Sequence, residues 1–255
     1  MLNPKIKNIF LKSSVASIST ALFKRGLRNQ FIQGVTPLNP NLPNMVGYAF
    51  TVRYIPARED LNTIDVFKDP EHPQRVAIEK CPQDHVLVFD SRKDARAASA
   101  GAILLTRLMV RGCAGVVTDG GFRDSSEIKI LDFPAYHHRP SSPTNLTLHQ
   151  AVDINVPIGC GDVAVWPNDL IVGDQEGVIV IPRKIVEEIS EEIKSMTDYE
   201  DYVMDQVKSG SLKSPASIRL SPWQMIPNMA FVHRCLRQMQ NEPFVVRVRS
   251  GPALS

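Results

Sequence analysis

The segment from Gly101 to Glu127, GAILLTRLMVRGCAGVVTDGGFRDSSE, collects residue types able to do chemistry. Gly101 falls near the middle of a helical stretch. Gly120-Gly121 follows a β-rich run, and Arg123, Asp124 and Glu127 come next. Glycines let backbone approach a ligand closely, and exposed N–H groups there can hold an anion. An arginine offers a bidentate fork to a carboxylate or phosphate. A neighbouring carboxylate can hold a hard cation such as Mg²⁺, directly or through water. Together these are the parts for gripping a small oxo-acid and a metal. A turn with a surface Arg–Asp pair would use the same letters, so both readings are open on spacing alone.

The elements around this segment must position it. Val86–Asp90 and Ala114–Asp119 are short apolar runs ending in an acid, which reads as buried strands. Between them Asp94 can cap a helix running to about Arg111, with Ala98, Ile103, Leu104 and Leu108 on its buried face and Gly112 as its stop. Strand, helix, strand at this spacing predicts a parallel crossover. A helical turn follows from Ser125. Upstream, Val15–Phe23 has helical spacing with Gly26 as a stop, and Gly47–Pro56 alternates as a strand. Asp60–Gln83 is mostly loop with one short helix. Downstream, short β stretches at 155–158, 162–165, 170–172 and 178–181 suggest antiparallel hairpins, and 183–209 reads as one long acidic helix. The sum is a single α/β domain with a mixed sheet and flanking helices.

Charge is uneven along the 255 residues. The net +2 divides into +8 for residues 1–58, −11 for 59–210 and +5 for 211–255. Basic ends can mean nucleic acid, but neither end has a tight Lys/Arg run with interleaved aromatics, so nucleic acid is not the expected partner. No apolar run approaches ~18 residues, so no membrane span is expected. Cys81, Cys113, Cys160 and Cys235 match no zinc or redox spacing and read as reduced thiols of a cytoplasmic protein. The acid-free, basic beginning overlaps with a mitochondrial transit composition; a folded first helix is the preferred reading, because it leads straight into folded-looking sequence.

Other polar residues have blander expectations. His137-His138-Arg139 could touch an anion, but adjacent side chains on extended backbone point opposite ways. Asp90 and Asp119 read as turn or cap acids, and Asp162, Asp174 and Glu176 as hairpin-turn residues. Glu187, Glu188, Glu191 and Glu192 read as a solvated helix face.

The stretches GYAFTVRYIP, GVVTDGGFRDSSE, NVPIGCGD and VGDQEGVIVIP together resemble the RraA-like family. That family includes metal-dependent class II aldolases of 4-hydroxy-4-methyl-2-oxoglutarate and proteins named as regulators of ribonuclease activity. The resemblance runs from about Ser17 to about Gly210. It implies a β/β/α swivelling-type sandwich, assembled as a homotrimer or hexamer with sites between subunits. It implies an RraA-like aldolase-type domain over 1–210, leaving 211–255 as an unassigned basic extension. That extension could be a docking segment, an oligomer contact or an unevolved read-through.

Carried across residue by residue, the resemblance gives Arg123 the substrate's carboxylate and keto oxygens. Asp124 takes Mg²⁺ or Mn²⁺ through its water shell, and Glu127 orients metal-bound water. Gly101 and the backbone N–H groups of Ile103 and Leu104 take the carboxylate. An acid from a neighbouring subunit's C-terminal helix would correspond to Glu200. The expected function is a lyase cleaving a C–C bond of a small anionic 2-oxo acid through a pyruvate enolate, as aldolase or oxaloacetate decarboxylase. The alternative is a non-catalytic regulator that inhibits a ribonuclease by surface contact. One position departs from the family pattern: Ala102 stands where the aldolases have an aspartate, and alanine cannot act as acid, base or water anchor.

Overall fold

Valine, tyrosine, phenylalanine and threonine suit a pleated, half-buried surface, and they crowd the stretch that becomes the central strand. The computed structural model describes residues 2–210; the basic extension 211–255 lies outside them. In chain order come α1 (Pro4–Lys12), α2 (Val15–Lys24), β1 (Thr36–Pro37), β2 (Met45–Pro56), α3 (Pro73–Lys80) and β3 (His85–Asp90). Then follow β4 (Ala98–Ala100), α4 (Ala102–Val110), β5 (Gly115–Thr118), β6 (Gly121–Phe122), α5 (Ser125–Lys129), β7 (Ala135–His137) and β8 (Arg139–Pro140). The last are β9 (His149–Ile154), β10 (Ile158–Cys160), β11 (Val163–Val165), β12 (Leu170–Gly173), β13 (Val178–Ile181) and α6 (Val186–Lys208). One compact unit is Met1–Thr197. A second begins at Asp198, of which residues 198–210 are described.

The main sheet runs β1-β7-β5-β3-β2-β12-β13, with β9 also on β2. The pairs β2–β3, β3–β5 and β5–β7 are parallel; β12 and β9 join β2 antiparallel. So β2 is shared along one edge: its first residues pair with β12 and its last with β9, with a bulge at Arg53/Tyr54. The expected crossover from β3 through α4 to parallel β5 is present.

Side-chain alternation sorts the core into layers. Even-numbered residues of β2 face helices: Val46 and Tyr48 meet Phe10, Ile18, Leu22 and Ile189, while Phe50, Val52 and Tyr54 meet Ile78, Leu105 and Leu108. Met45 and Ala49 face the other way, with Val86, Val88 and Val117, onto Ile158 and Val163 of the β10–β11 hairpin. Helices, main sheet and hairpin thus form the expected β/β/α sandwich. No helix among the described residues is long and apolar enough to cross a membrane. Cys81, Cys113 and Cys160 are buried free thiols.

Three expectations need correction. The helix expected from Asp94 starts eight residues later, at Ala102, because Ala98–Ala100 pairs with β6 as a strand. Its buried face is Ala102, Leu105 and Leu108, whereas Ile103 is 85% exposed. The strand expected at 155–158 is displaced, because Asn155 takes a left-handed backbone between β9 and β10. The acidic run on α6 is not wholly solvated: Glu192 is partly buried and binds Lys24 at 2.7 Å and Arg25 at 2.6 Å. Burial pushes the Glu192 carboxyl up, but its hydrogen bonds from Lys24 and Arg25 outweigh this and hold it below the ordinary range.

Candidate active site beside the small sheet

Three buried hydroxyls join the main sheet to the small parallel sheet β4-β6-β8. Ser91 follows β3, Ser99 lies in β4 and Thr118 ends β5. Their oxygens form a triangle with sides of 2.6, 2.7 and 3.1 Å. The Thr118 hydroxyl also accepts the Gly120 N–H at 2.9 Å. Gly120 fits because a Cβ there would lie 2.6 Å from that of Ser91. Asp119 accepts N–H groups of Ser91, Lys93 and Gly161 at 2.7–3.1 Å. Burial pushes its carboxyl above the ordinary range. Asp119 and Asp90, which accepts from Arg92 N–H at 2.9 Å, are therefore turn acids, as expected.

Parallel pairing of β4 with β6 brings the ends of both strands together. The Arg123 N–H donates to the Ala100 carbonyl at 3.1 Å, placing Gly101 against Arg123 and Asp124. A Cβ at Gly101 would stand 2.6 Å from Asp124 Oδ2 and 2.9 Å from Arg123 Cγ. Gly101 is the N-cap of α4, not a mid-helix residue. Asp124 takes a left-handed backbone at φ +57° as the N-cap of α5. Its Oδ2 accepts the Ala102 N–H at 3.2 Å and lies 3.4 Å from Arg123 Nε.

These residues open onto a cavity of about 240 Å³. Gly101, Ile103, Leu104, Arg123 and Asp124 all line it. The Leu104 N–H is already given to the Gly101 carbonyl at 3.1 Å, whereas the Ile103 N–H has no acceptor among the described residues. Glu127 is exposed on α5 and is not a lining residue. Glu200 is exposed on α6, in the second unit. Ala102 turns its methyl into the apolar cluster with Ala100 and Leu105 rather than into the cavity.

Five lining residues had no signal in the sequence: Phe67, Gln74, Arg75, Thr144 and Asn145. They come from loop and α3 segments remote from the glycine-rich stretch. Gln74 was findable only as a polar residue on the buried face of a short helix. Its Nε2 donates to the Ser99 carbonyl at 2.5 Å and to the Tyr54 hydroxyl at 3.1 Å, supporting β4 from behind.

Among the described residues no group of three or more His, Cys, Asp or Glu could hold a metal by itself. Among the described residues Asp124 is the one carboxylate lining the cavity, and only its Oδ2 is engaged by them. That donor set suits Mg²⁺, which keeps several waters and takes one or two carboxylates plus substrate oxygens. The histidine pair does not contribute to the lining. His137 is buried and stacked on Phe122, and burial lowers its pKa to about 4. His138 instead meets the Gly34 carbonyl at 2.8 Å.

Comparison with known proteins identifies the family. The family model described as RraA-like, Aldolase/RraA, matches residues 15–180. A protein of Halalkalibacterium halodurans, provisionally named a 4-hydroxy-4-methyl-2-oxoglutarate aldolase, is 34% identical over 160 residues, 63% of this chain and 70% of that one. A 4-hydroxy-4-methyl-2-oxoglutarate aldolase of Thermus thermophilus is 25% identical over 48% of this chain and 74% of its own. Among solved structures, RraAS2 of Streptomyces coelicolor, titled an unusual member of the RNase ES inhibitor RraA protein family, superposes with a TM-score of 0.70. It has 24% identity and covers 79% of this chain and 96% of its own. That likeness is one of fold. With a family match that spans both the sheet and the Arg123–Asp124 cavity, the chain belongs to the RraA-like family.

Proposed function

We propose that the chain is a divalent-metal-dependent lyase that breaks a C–C bond of a small 2-oxo acid through a pyruvate enolate. The observation carrying this reading is the convergence of Arg123, Asp124 and the free Ile103 N–H on one cavity. The names of the aldolase relatives support it. The same reading has the chain working as a homotrimer or hexamer.

Arg123 and the Ile103 N–H bind the substrate's carboxylate and keto oxygens, fixing the acid in the cavity. Asp124, held by the Ala102 N–H, would hold Mg²⁺ or Mn²⁺ with water and substrate oxygens. Such an ion supplies Lewis-acid polarisation of the 2-oxo group. With oxaloacetate, the C3–C4 bond breaks and its electron pair moves into the C2 carbonyl. Carbon dioxide leaves, Arg123 stabilises the enolate oxygen, and C3 then takes a proton from water to give pyruvate.

Retro-aldol cleavage asks for more, because a base must take the 4-hydroxyl proton. Among the described residues the only lining carboxylate is Asp124, and Ala102 supplies none. Decarboxylation is therefore the reaction this cavity favours. The test is pyruvate release from oxaloacetate and from a 4-hydroxy-2-oxo acid with Mg²⁺ or Mn²⁺. Oxaloacetate should turn over faster, chelator should stop the reaction, and Arg123→Ala should lower kcat/KM on the order of 10²–10³-fold. Full activity in folded Arg123→Ala and Asp124→Ala proteins would overturn the reading.

A further inference from the structure

Two of the buried thiols meet at a corner that the lyase chemistry does not use. Cys81 is the C-cap of α3, and Cys113 follows the Gly112 turn after α4. They stand 32 residues apart in the chain, so no short motif announces the pair. The fold brings both sulfurs to one carbonyl: the Pro82 oxygen lies 3.9 Å from Cys81 Sγ and 3.7 Å from Cys113 Sγ. Cys113 Sγ also approaches the Cys81 carbonyl at 3.8 Å. Cys81 is wholly buried, whereas Cys113 is 8% exposed, so a small reagent reaches Cys113 first.

Charge at this corner treats the two thiols differently. Arg111, the C-cap of α4, reaches Glu79 of α3 at 3.3 Å, and Arg107 binds the same carboxylate. The Arg111 Nε is buried without an acceptor among the described residues. Such a donor is unfavourable until an acceptor forms beside it. Hydrogen bonding from the Cys81 thiol, helped by the Arg111 guanidinium, holds Cys113 below the ordinary cysteine range against the opposing effect of burial. Cys81 is pushed up, by the Cys113 sulfur and by burial. Cys160 lies in another core layer, and burial pushes it up as well.

We infer that Cys113 and Cys81 are a redox site, in which a hydroperoxide converts the two thiols to a disulfide and a small dithiol restores them. The Cys113 thiolate attacks one peroxide oxygen. An S–O bond forms, the O–O bond breaks, and hydroxide leaves and is protonated to water, so Cys113 becomes a sulfenic acid. Cys81 Sγ then attacks the sulfenic sulfur. The S–S bond forms, the S–O bond breaks, and the Cys81 proton leaves with the hydroxide as water. The two thiols thereby give two electrons and two protons to the peroxide. The new bond closes the segment that carries Ser91, Ser99 and Gly101, tying the end of α3 to the turn before β5.

The test uses the full chain with Cys235→Ser, reduced, freed of reductant and treated with hydrogen peroxide. Mass spectrometry after alkylation in urea should show the loss of two hydrogens, with Cys81 and Cys113 joined and Cys160 alkylated. Dithiothreitol should reverse the change. The oxidised form should have the higher urea midpoint, because the bond constrains the unfolded chain. Cys81→Ser should halt Cys113 at the sulfenic acid, which dimedone traps. Oxidation should quicken with pH around a midpoint below the ~8.5 of a free cysteine. Arg111→Gln should slow it about tenfold at pH 7 by lowering the thiolate fraction, and Arg111→Lys should retain most of the rate. Unchanged melting temperatures would show that the variants are folded. Three results overturn the inference: both thiols left free, Cys160 oxidised as fast, or Cys113 carried to sulfinic acid without joining Cys81. An unchanged rate in folded Arg111→Gln overturns the part given to Arg111.

Discussion

At the scale of the residue, Asp124 and Gly101 depend on one another. The left-handed backbone of Asp124 costs a non-glycine residue about 1–2 kcal/mol, and its carboxylate is aimed into space that a Cβ at Gly101 would occupy. Gly101 itself has φ −130° and ψ 179°, which alanine adopts without strain. Gly101→Ala should therefore act through that contact: kcat/KM for oxaloacetate should fall at least about tenfold, with a melting temperature within a few degrees of the parent. Equal loss of activity and stability would contradict this. Arg123, Asp124 and Gly101 were legible because a short motif holds them at fixed spacing. Arg75 and Asn145 were not, since only the tertiary fold brings α3 and the 144–145 loop to the same cavity.

Elements show the same division. Strands β2, β3, β5 and β13 are legible as runs of β-branched and aromatic residues. Strand β4 is not, because Ala98, Ser99 and Ala100 have weak strand preference and merge with the apolar spacing of α4. What makes them a strand is a partner, β6, and the hydroxyl triangle that fixes Ser99. Asp94, a good cap by type, is used in a turn instead, accepting from Arg96 N–H at 3.1 Å and pairing with its guanidinium. The position of β4 should thus hang on Thr118. Thr118→Val keeps the shape but removes the acceptor for the buried Gly120 N–H, and should cost about 1–3 kcal/mol in urea unfolding. Pyruvate release should drop as well, since β4 leads directly to Gly101.

For the whole molecule, an α/β domain with a mixed sheet was legible from the order of strands and helices and the β/β/α sandwich only through the family resemblance, while the pairing of its charges was not. The basic beginning and acidic middle meet where Lys24 of α2 and its C-cap Arg25 bind Glu192 of α6. Burial also lowers the pKa of His72, His137 and His149, most clearly His137, to about 4. Below pH ~6.5 the unfolded chain takes up these protons before the folded one, so stability should fall as pH drops towards ~4. His137 alone should remove about 2 kcal/mol between pH 7 and pH 5. Buried Asp119 and Asp169 and half-buried Asp90, whose carboxyls are pushed up, act in the opposite sense at lower pH. Urea melts at the two pH values, repeated on His137→Phe, check this: the variant should show a flatter profile. The shared edge of β2 has a consequence in time. During synthesis β2 is complete by Pro56, but its partners β9 and β12 begin only at His149 and Leu170. At about 5–20 residues per second, that edge stays without a partner for roughly 5–20 seconds on the ribosome. The nascent chain is then most exposed to wrong strand pairing, and most in need of a chaperone.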